Sequence, residues 1–324
     1  MVDEASVDDL NESLPEQLER ARVAWFYFVG GLTQQEIAAR MNMTRLRVNK
    51  IIGQVREDGA VQIDVMLPLS GCIALAEAVA ERYGLAEATV VPDVPDFLEQ
   101  KRVIGEAAGA MASGLIERRD LGIGIATGRT LSFAVRRLNA RPHANSWVVG
   151  LTGGATRSSG TNTFEVATSL ARKLGVECHY LTAPLYCASP ESREALLLID
   201  ELTDVLARTE IADLGIASCG WLAEETTLTQ IRVVKDNLDE ILKRGAVGEF
   251  LGCFLDAQGQ PVDHFLNDSI MALAPEKMKL KPMSMLVSGG IEKVQIIRAI
   301  LRGGYVNRLA TNEAVARALM AGPR

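Results

Sequence analysis

Residues 31–52 read GLTQQEIAARMNMTRLRVNKII, and two helix-opening signals stand in them almost back to back. Thr33 precedes QQEIAARM, where its hydroxyl can accept a first-turn N–H, and Glu36 three residues on completes a capping box. Thr44 opens RLRVNKIIGQVRE in the same manner. Met41, Asn42 and Met43 leave room only for a sharp reversal, and Asn42 tolerates left-handed backbone. The pattern predicts a helix-turn-helix. Ile37, Ala38 and Met41 share one face of the first helix, and Leu46, Val48, Ile51, Ile52 and Val55 are expected as the buried stripe of the second. An earlier helix over residues 15–29, opened by Pro15 and stopped by Gly30-Gly31, is expected to bring Leu18, Ala21, Val23, Ala24, Trp25 and Phe28 to the same small core.

The second helix also carries a distinctive charge. From Met41 to Arg56 the charged residues are Arg45, Arg47, Lys50 and Arg56, with no acid among them and Asn49 between. Arg, Lys and Asn reach base edges in a major groove, and the cations neutralise phosphate. Gln34 and Gln35 of the first helix, with Thr44, Arg45, Arg47, Asn49 and Lys50 of the second, are therefore the candidate contacts to double-stranded DNA. A solvated basic face on an interaction module is the plainer alternative, and the missing acids weigh against it. After Asp58-Gly59 the alternating AVQIDV is expected as a wing strand.

The net charge of -7 over 324 residues suits a nucleic-acid partner only once it is divided. Residues 1–14, an expected disordered acidic leader, hold five acids and no base, whereas residues 15–64 hold seven bases against six acids. Acidity thus lies outside the reading head, and local charge governs phosphate contact. Cys72, Cys178, Cys187, Cys219 and Cys253 form no C-x-x-C pair, and His143, His179 and His264 are the only histidines. Buried free thiols are expected, with no metal and no cofactor. The acidic opening is unlike a signal leader, and no apolar run reaches spanning length, so a reduced cytoplasmic setting is expected.

Past Pro68 the chain turns to strand-then-helix units: EATVVPD, LGIGIA, SWVVGLTGG, ECHYLTAP, ADLGIASCG, MSMLVSGG and YVNRLAT, most separated by amphipathic helices. Near-continuous apolar strands alternating with helices predict an α/β domain over residues 67–324, its parallel sheet covered on both faces. EFLGCFLDAQGQPVDHFL is read as a hairpin around an Asp256–Gln260 turn. Ligands in such sheets bind beyond the carboxyl ends of the strands. Three loops there are rich in small residues: Thr127-Gly128-Arg129-Thr130, Thr152-Gly153-Gly154 and Ser288-Gly289-Gly290. With Arg129 and Lys293 they suggest an anion cradle, in which glycine admits a ligand close to the backbone and helix N-termini supply N–H donors. Lys293 is placed as the third residue of a helix after Gly289-Gly290, its plainer role a surface pair with Glu292. Glu249 can accept sugar hydroxyls, its plainer role an exposed edge carboxylate.

FVGGLTQQEIAARMNMTRLRVNKII, GIATGRTL, LTGG, GAVGEFLGCFLDAQGQPV and SGGIEKVQIIRAILRGGYVNRLATNEAVARALM, in this order, resemble the bacterial SorC-type sugar-binding transcriptional regulators, sometimes grouped with deoxyribonucleoside regulators. The resemblance implies an N-terminal winged helix-turn-helix and a C-terminal Rossmann-like effector domain related in fold to sugar-phosphate isomerases and deaminases. It implies a homo-oligomer, usually a tetramer, on an operator, with a sugar, polyol or sugar phosphate as effector. Carried over, Gly128, Arg129 and Thr130 take the first effector loop, Gly153 and Gly154 the second, Glu249 the sugar-facing acid, and Gly289, Gly290 and Lys293 the last. Arg129 stands where some members carry threonine, which leaves phosphorylated and neutral effectors both open.

Two function classes follow. The first is a regulator of a carbohydrate or polyol catabolism operon. The second is a sugar-phosphate isomerase or deaminase with a fused DNA-binding head, in which Lys293 forms a Schiff base and Glu249 moves protons. No second acid or histidine stands at recognisable spacing beside either residue, which favours binding without turnover.

Overall fold

The computed structural model describes residues 14–58, 60–61, 70–117, 120–141, 145–154, 163–223, 226 and 228–322. The chain divides into two compact units between residues 67 and 68.

In the first unit, α1 (Leu14–Ala24) runs into a single π turn, Trp25–Val29, and is followed by α2 (Gln34–Met41) and α3 (Arg45–Glu57). The capping box is formed: the Glu36 amide donates to Thr33 Oγ1 at 3.3 Å and the Thr33 amide to Glu36 Oε2 at 2.8 Å. Thr44 accepts the Arg47 amide at 3.2 Å, and Asn42 takes the left-handed conformation at φ 51°. Val23, Ala24, Ile37, Ala38, Val48, Ile51, Ile52 and Val55 close the core. Two expectations are corrected. Leu46 is 79% exposed, because it lies opposite the Val48, Ile51/Ile52, Val55 stripe on the helix circumference. Leu18, Ala21 and Trp25 also face outward. The i→i+5 turn explains the replacement: it swings Phe26, Tyr27 and Phe28 one after another against the core. The wing reading falls almost wholly on residues 62–65, outside the described residues, as does the leader apart from Leu14.

The second unit opens with α4 (Ser70–Tyr83), ended by Gly84, then β1 (Glu87–Val91) and α5 (Phe97–Ile116). Next come β2 (Gly122–Ile125), α6 (Arg129–Arg137), β3 (Trp147–Gly150), α7 (Thr163–Leu174) and β4 (Glu177–His179). Then α8 (Pro190–Leu196) and α9 (Asp200–Ile211) lead to β5 (Leu214–Ala217) and β6 (Cys219–Gly220). After α10 (Arg232–Lys243) the chain forms β7 (Ala246–Phe250) and β8 (Cys253–Asp256). It ends with α11 (Phe265–Asp268), α12 (Pro275–Lys279), β9 (Met283–Val287), α13 (Val294–Gly303), β10 (Arg308–Asn312) and α14 (Glu313–Ala321).

Seven parallel strands pair in the order β1-β10-β9-β5-β2-β3-β4. Strands β2, β5 and β9 are buried at every residue, as a sheet with both faces covered requires. From β2 the chain winds outward to β3 and β4, then returns to β2's other side as β5 and winds the opposite way to β9 and β10. The order therefore reverses between β2 and β5, and the crevice that loops leave at such a reversal lies at their carboxyl ends.

The hairpin exists with a different turn. Strands β7 and β8 pair antiparallel around Leu251-Gly252, both at positive φ (55° and 83°), the combination a two-residue type I′ turn demands. The expected Asp256–Gln260 reversal follows it and sets Pro261 against Leu255. Lys293 is, as expected, the third helical residue after Gly289-Gly290, closing a 3-10 turn (Ile291–Lys293) that runs into α13.

Helices α5 and α6 cross at Gly105, where an added Cβ would lie 2.5 Å from the Thr130 carbonyl oxygen and 2.6 Å from Phe133 Cβ. Gly105→Ala should therefore lower the stability of this unit by about 1–3 kcal/mol through overpacking against backbone. Equilibrium denaturation with a midpoint equal to wild type would show that the crossing can relax.

Candidate functional site

The crevice between β2 and β5 is framed by the first and last glycine loops. A Cβ on Gly128 would lie 4.0 Å from Ser218 Cβ, which sets the loop after β2 directly beside the residue that follows β5. Gly128 (φ 143°) and Gly290 (φ 104°) adopt backbone that side chains disfavour, so each loop can turn its following cation toward the crevice. Arg129 is exposed at the start of α6, and Thr130 is buried behind it. The last loop is fixed by Asn312, whose Oδ1 accepts the Gly290 amide at 3.1 Å while its Nδ2 donates to Asp93 at 2.6 Å.

Lys293 bridges the two sheets, its ammonium donating to the Cys219 carbonyl at 3.0 Å. Across β6, the Glu249 carboxylate lies against Gly220, and its Oε2 accepts the Gly252 amide at 2.8 Å. Burial raises the Glu249 pKa above the usual carboxylate value, and the Gly252 amide, the Lys293 charge and the Gly220 amide pull it partly back. Glu249 is thus neither an exposed edge acid nor remote from Lys293: it clamps the type I′ turn and shares the Lys293 field. The Cys219 thiol donates to Ser288 Oγ at 3.3 Å, tying β6 to the end of β9.

The second loop is used differently. The Gly153 amide donates to the Met271 carbonyl at 2.7 Å and the Gly154 amide to the Ala183 carbonyl at 2.8 Å. An added Cβ at Gly153 would meet the Ala183 and Pro184 carbonyls at 2.7 and 2.8 Å. These glycines admit neighbouring backbone, and their amides, like that of Gly290, are hydrogen-bonded within the protein.

Two further side chains, Lys101 and Glu292, stand beside these loops. Lys101, at the start of the second turn of α5, sits half-buried over the Phe97 ring, 3.9 Å from its centroid. Burial lowers its pKa to about 8, with the Lys293 and Arg129 charges adding to the effect and Glu292 opposing it. Glu292 folds back over Gly290, and its Oε1 is buried with no hydrogen-bond partner among the described residues. Such an acceptor is costly unless something donates to it, as a ligand hydroxyl would. The signal for Lys101 was absent locally: one lysine in a long amphipathic helix gains meaning only from the loops α5 packs on. Beside the crevice a cleft of about 310 Å³ is lined by Leu98, Arg129, Phe133, Arg136, Glu165 and Val166, among others.

On the other unit, Arg45, Arg47, Asn49 and Lys50 are exposed along α3, with Thr44 and Gln35 exposed beside them and Gln34 half-buried. Gln34 Nε2 donates to Asn49 Oδ1 at 3.1 Å, which joins α2 to α3 across the turn. Arg47 pairs with Glu19 of α1 at 2.7 Å. Among the described residues no cluster of three or more His, Cys, Asp or Glu is placed to hold a metal. The five cysteines are unpaired. Among the described residues no helix is long and apolar enough to cross a membrane.

Residues 67–321 match the family model described as "Putative sugar-binding domain". The chain is 33% identical over 307 residues to the erythritol catabolism regulatory protein EryD of Brucella abortus, covering 93% of this chain and 96% of that protein. It is 29% identical over 321 residues to the transcriptional regulator LsrR of Klebsiella pneumoniae, covering 95% and 94%. The crystal structure of the full-length sorbitol operon regulator SorC from Klebsiella pneumoniae shares the fold, with a TM-score of 0.71 at 22% identity over 95% of this chain and 100% of that one. With the family model spanning most of the chain and a third of its residues matching a regulator along nearly the whole length, the protein belongs to the SorC-type family of sugar-binding transcriptional regulators.

Proposed function

We propose that this protein is a DNA-binding regulator of a carbohydrate or polyol catabolism operon, whose operator affinity is set by a sugar, polyol or sugar phosphate held in the β2–β5 crevice. The observation that carries the reading is the outer face of α3. Arg45, Arg47, Asn49 and Lys50 stand in solvent there, while Val48, Ile51, Ile52 and Val55 anchor the opposite face. In this reading residues 15–66 act as a winged helix-turn-helix, α3 enters the major groove, and Gln34, Gln35 and Thr44 contact the flanking backbone. Arg47 exchanges its pair with Glu19 for a phosphate, a swap between exposed ion pairs that costs little.

Residues 67–324 bind effector and assemble the chain as a cytoplasmic homo-oligomer, a tetramer by family resemblance. An effector that closes the crevice loops favours one quaternary arrangement over another, and the spacing of paired heads follows that arrangement. The name of the Brucella relative makes four-carbon polyols the first compounds to test. Binding without turnover is supported by the surroundings of the two candidate catalytic groups: the Lys293 ammonium donates to a backbone carbonyl, and Glu249 accepts from backbone amides.

Lys50→Ala or Arg47→Ala should weaken operator binding several-fold and lower the salt dependence by about one counterion each, with effector binding intact. A gel-shift titration in which both variants match wild type would remove α3 from the DNA. Lys293→Ala should shrink the rise in melting temperature given by an effector. An undiminished rise would take Lys293 out of the site.

A further inference from the structure

Leu46 sits in the middle of the surface that α3 turns to solvent. It is 79% exposed and is the one exposed apolar side chain of α3 among the described residues, since Val48, Ile51, Ile52 and Val55 are buried on the opposite side. A single exposed leucine is common and means little by itself. Its neighbours distinguish this one. Arg45 and Arg47 flank it in sequence, and Asn49 and Lys50 follow one turn on, on the same side of the helix. Gln34 of α2 accepts the Arg45 Nε–H at 3.5 Å and donates to Asn49 Oδ1 at 3.1 Å. One amide thus steers both side chains, and neither the Arg45 Nη groups nor the Asn49 Nδ2 group is used in holding them. Arg47 turns instead to Glu19 of α1. Gly53, two turns beyond Leu46, extends the same outward line, and a Cβ there would meet nothing within 4 Å. A helix interior disfavours glycine, and no packing among the described residues calls for one at this position. A partner surface pressed close along the line gives it a reason.

An apolar group ringed by hydrogen-bond donors matches one feature of the DNA major groove, where thymine shows a C5-methyl group beside its O4 acceptor. Resting on the reading of α3 as the DNA-reading helix, we propose that Leu46 is a specificity-determining residue that packs on the 5-methyl group of a thymine in the operator, between base edges within reach of Arg45 and Asn49. The contact takes apolar surface of both groups out of water. A cytosine in the same place lacks the methyl and forfeits that gain. Leu46 carries no charge, so it adds discrimination between bases without adding to the counterion release that phosphate contacts bring.

The test uses the duplex that the full chain enriches most strongly from a random pool. Each thymine in it is replaced in turn by deoxyuridine, which deletes the methyl group and keeps O4 and the base pairing. In wild type at least one replacement should weaken binding about three- to fourfold, the worth of one buried group of methyl size. Leu46→Ala should bind the original duplex and that uracil duplex equally, and Leu46→Met should keep the difference. The dependence of affinity on salt should match wild type in both variants, in contrast to Lys50→Ala. Leu46→Ala should unfold at the wild-type temperature, because the side chain it shortens stands in solvent. A preferred duplex in which every thymine tolerates uracil, a methyl effect of wild-type size in Leu46→Ala, or an altered mass of the free chain as the sole effect of that variant would each overturn the proposal while leaving the DNA reading in place. A pool in which no sequence is enriched overturns both.

Discussion

Strand β5 pairs with β2 through Ile123–Leu214, Gly124–Gly215 and Ile125–Ile216, and that one pairing decides where chemistry can occur. Had the chain continued outward past β4, every strand-to-helix loop would lie over its neighbour. Because it returns inside, the loops after β2 and β5 leave in opposite directions and a crevice opens between them. The small antiparallel sheet then stands at the rim. The Lys293 ammonium bonds to Cys219 of β6, and the Cys219 thiol to Ser288 at the end of β9. The site is thus held by packing on rigid strands, with its charged groups carried on the loops that the reversal sets apart.

Much of this is written locally. Thr33, Glu36, Asn42 and Thr44 specify a tight two-helix reversal through caps and one left-handed residue, interactions confined to neighbours in sequence. The alternation of apolar runs with helices specifies a parallel sheet because fully buried strands leave no polar face to read. What escaped depends on partners distant in the chain. The hairpin turn was expected at Asp256–Gln260, where the turn-forming residues cluster, but it lies at Leu251-Gly252. A leucine there accepts positive φ because Glu249 takes the Gly252 amide and the turn packs by Leu185 and Tyr186. Gly153 and Gly154 look like ligand-loop glycines, yet they accommodate the backbone of residues 183–185, a contact no local pattern announces.

The same division explains the head. Periodicity placed Val48, Ile51, Ile52 and Val55 correctly and counted Leu46 with them, because apolar character alone does not tell a core position from a surface one. The π turn at Trp25–Val29 shifts the register of α1's aromatic end, so that Phe26, Tyr27 and Phe28 do the packing that Leu18, Ala21 and Trp25 were expected to do. The arginines gain from that shift: Arg40 lies over Phe26 at 4.8 Å and Arg56 over Phe28 at 5.4 Å, which holds two cations against the core's edge. Arg45, Arg47 and Lys50 remain exposed on the outward face.

Each unit closes a hydrophobic core of its own, so a signal between ligand and DNA does not have to melt either one. It needs a change in the crevice that costs little in packing. The last loop suits that requirement. Its Gly290 amide donates to Asn312, which in turn donates to Asp93, and Glu292 and Lys293 follow at its far end with opposite charges.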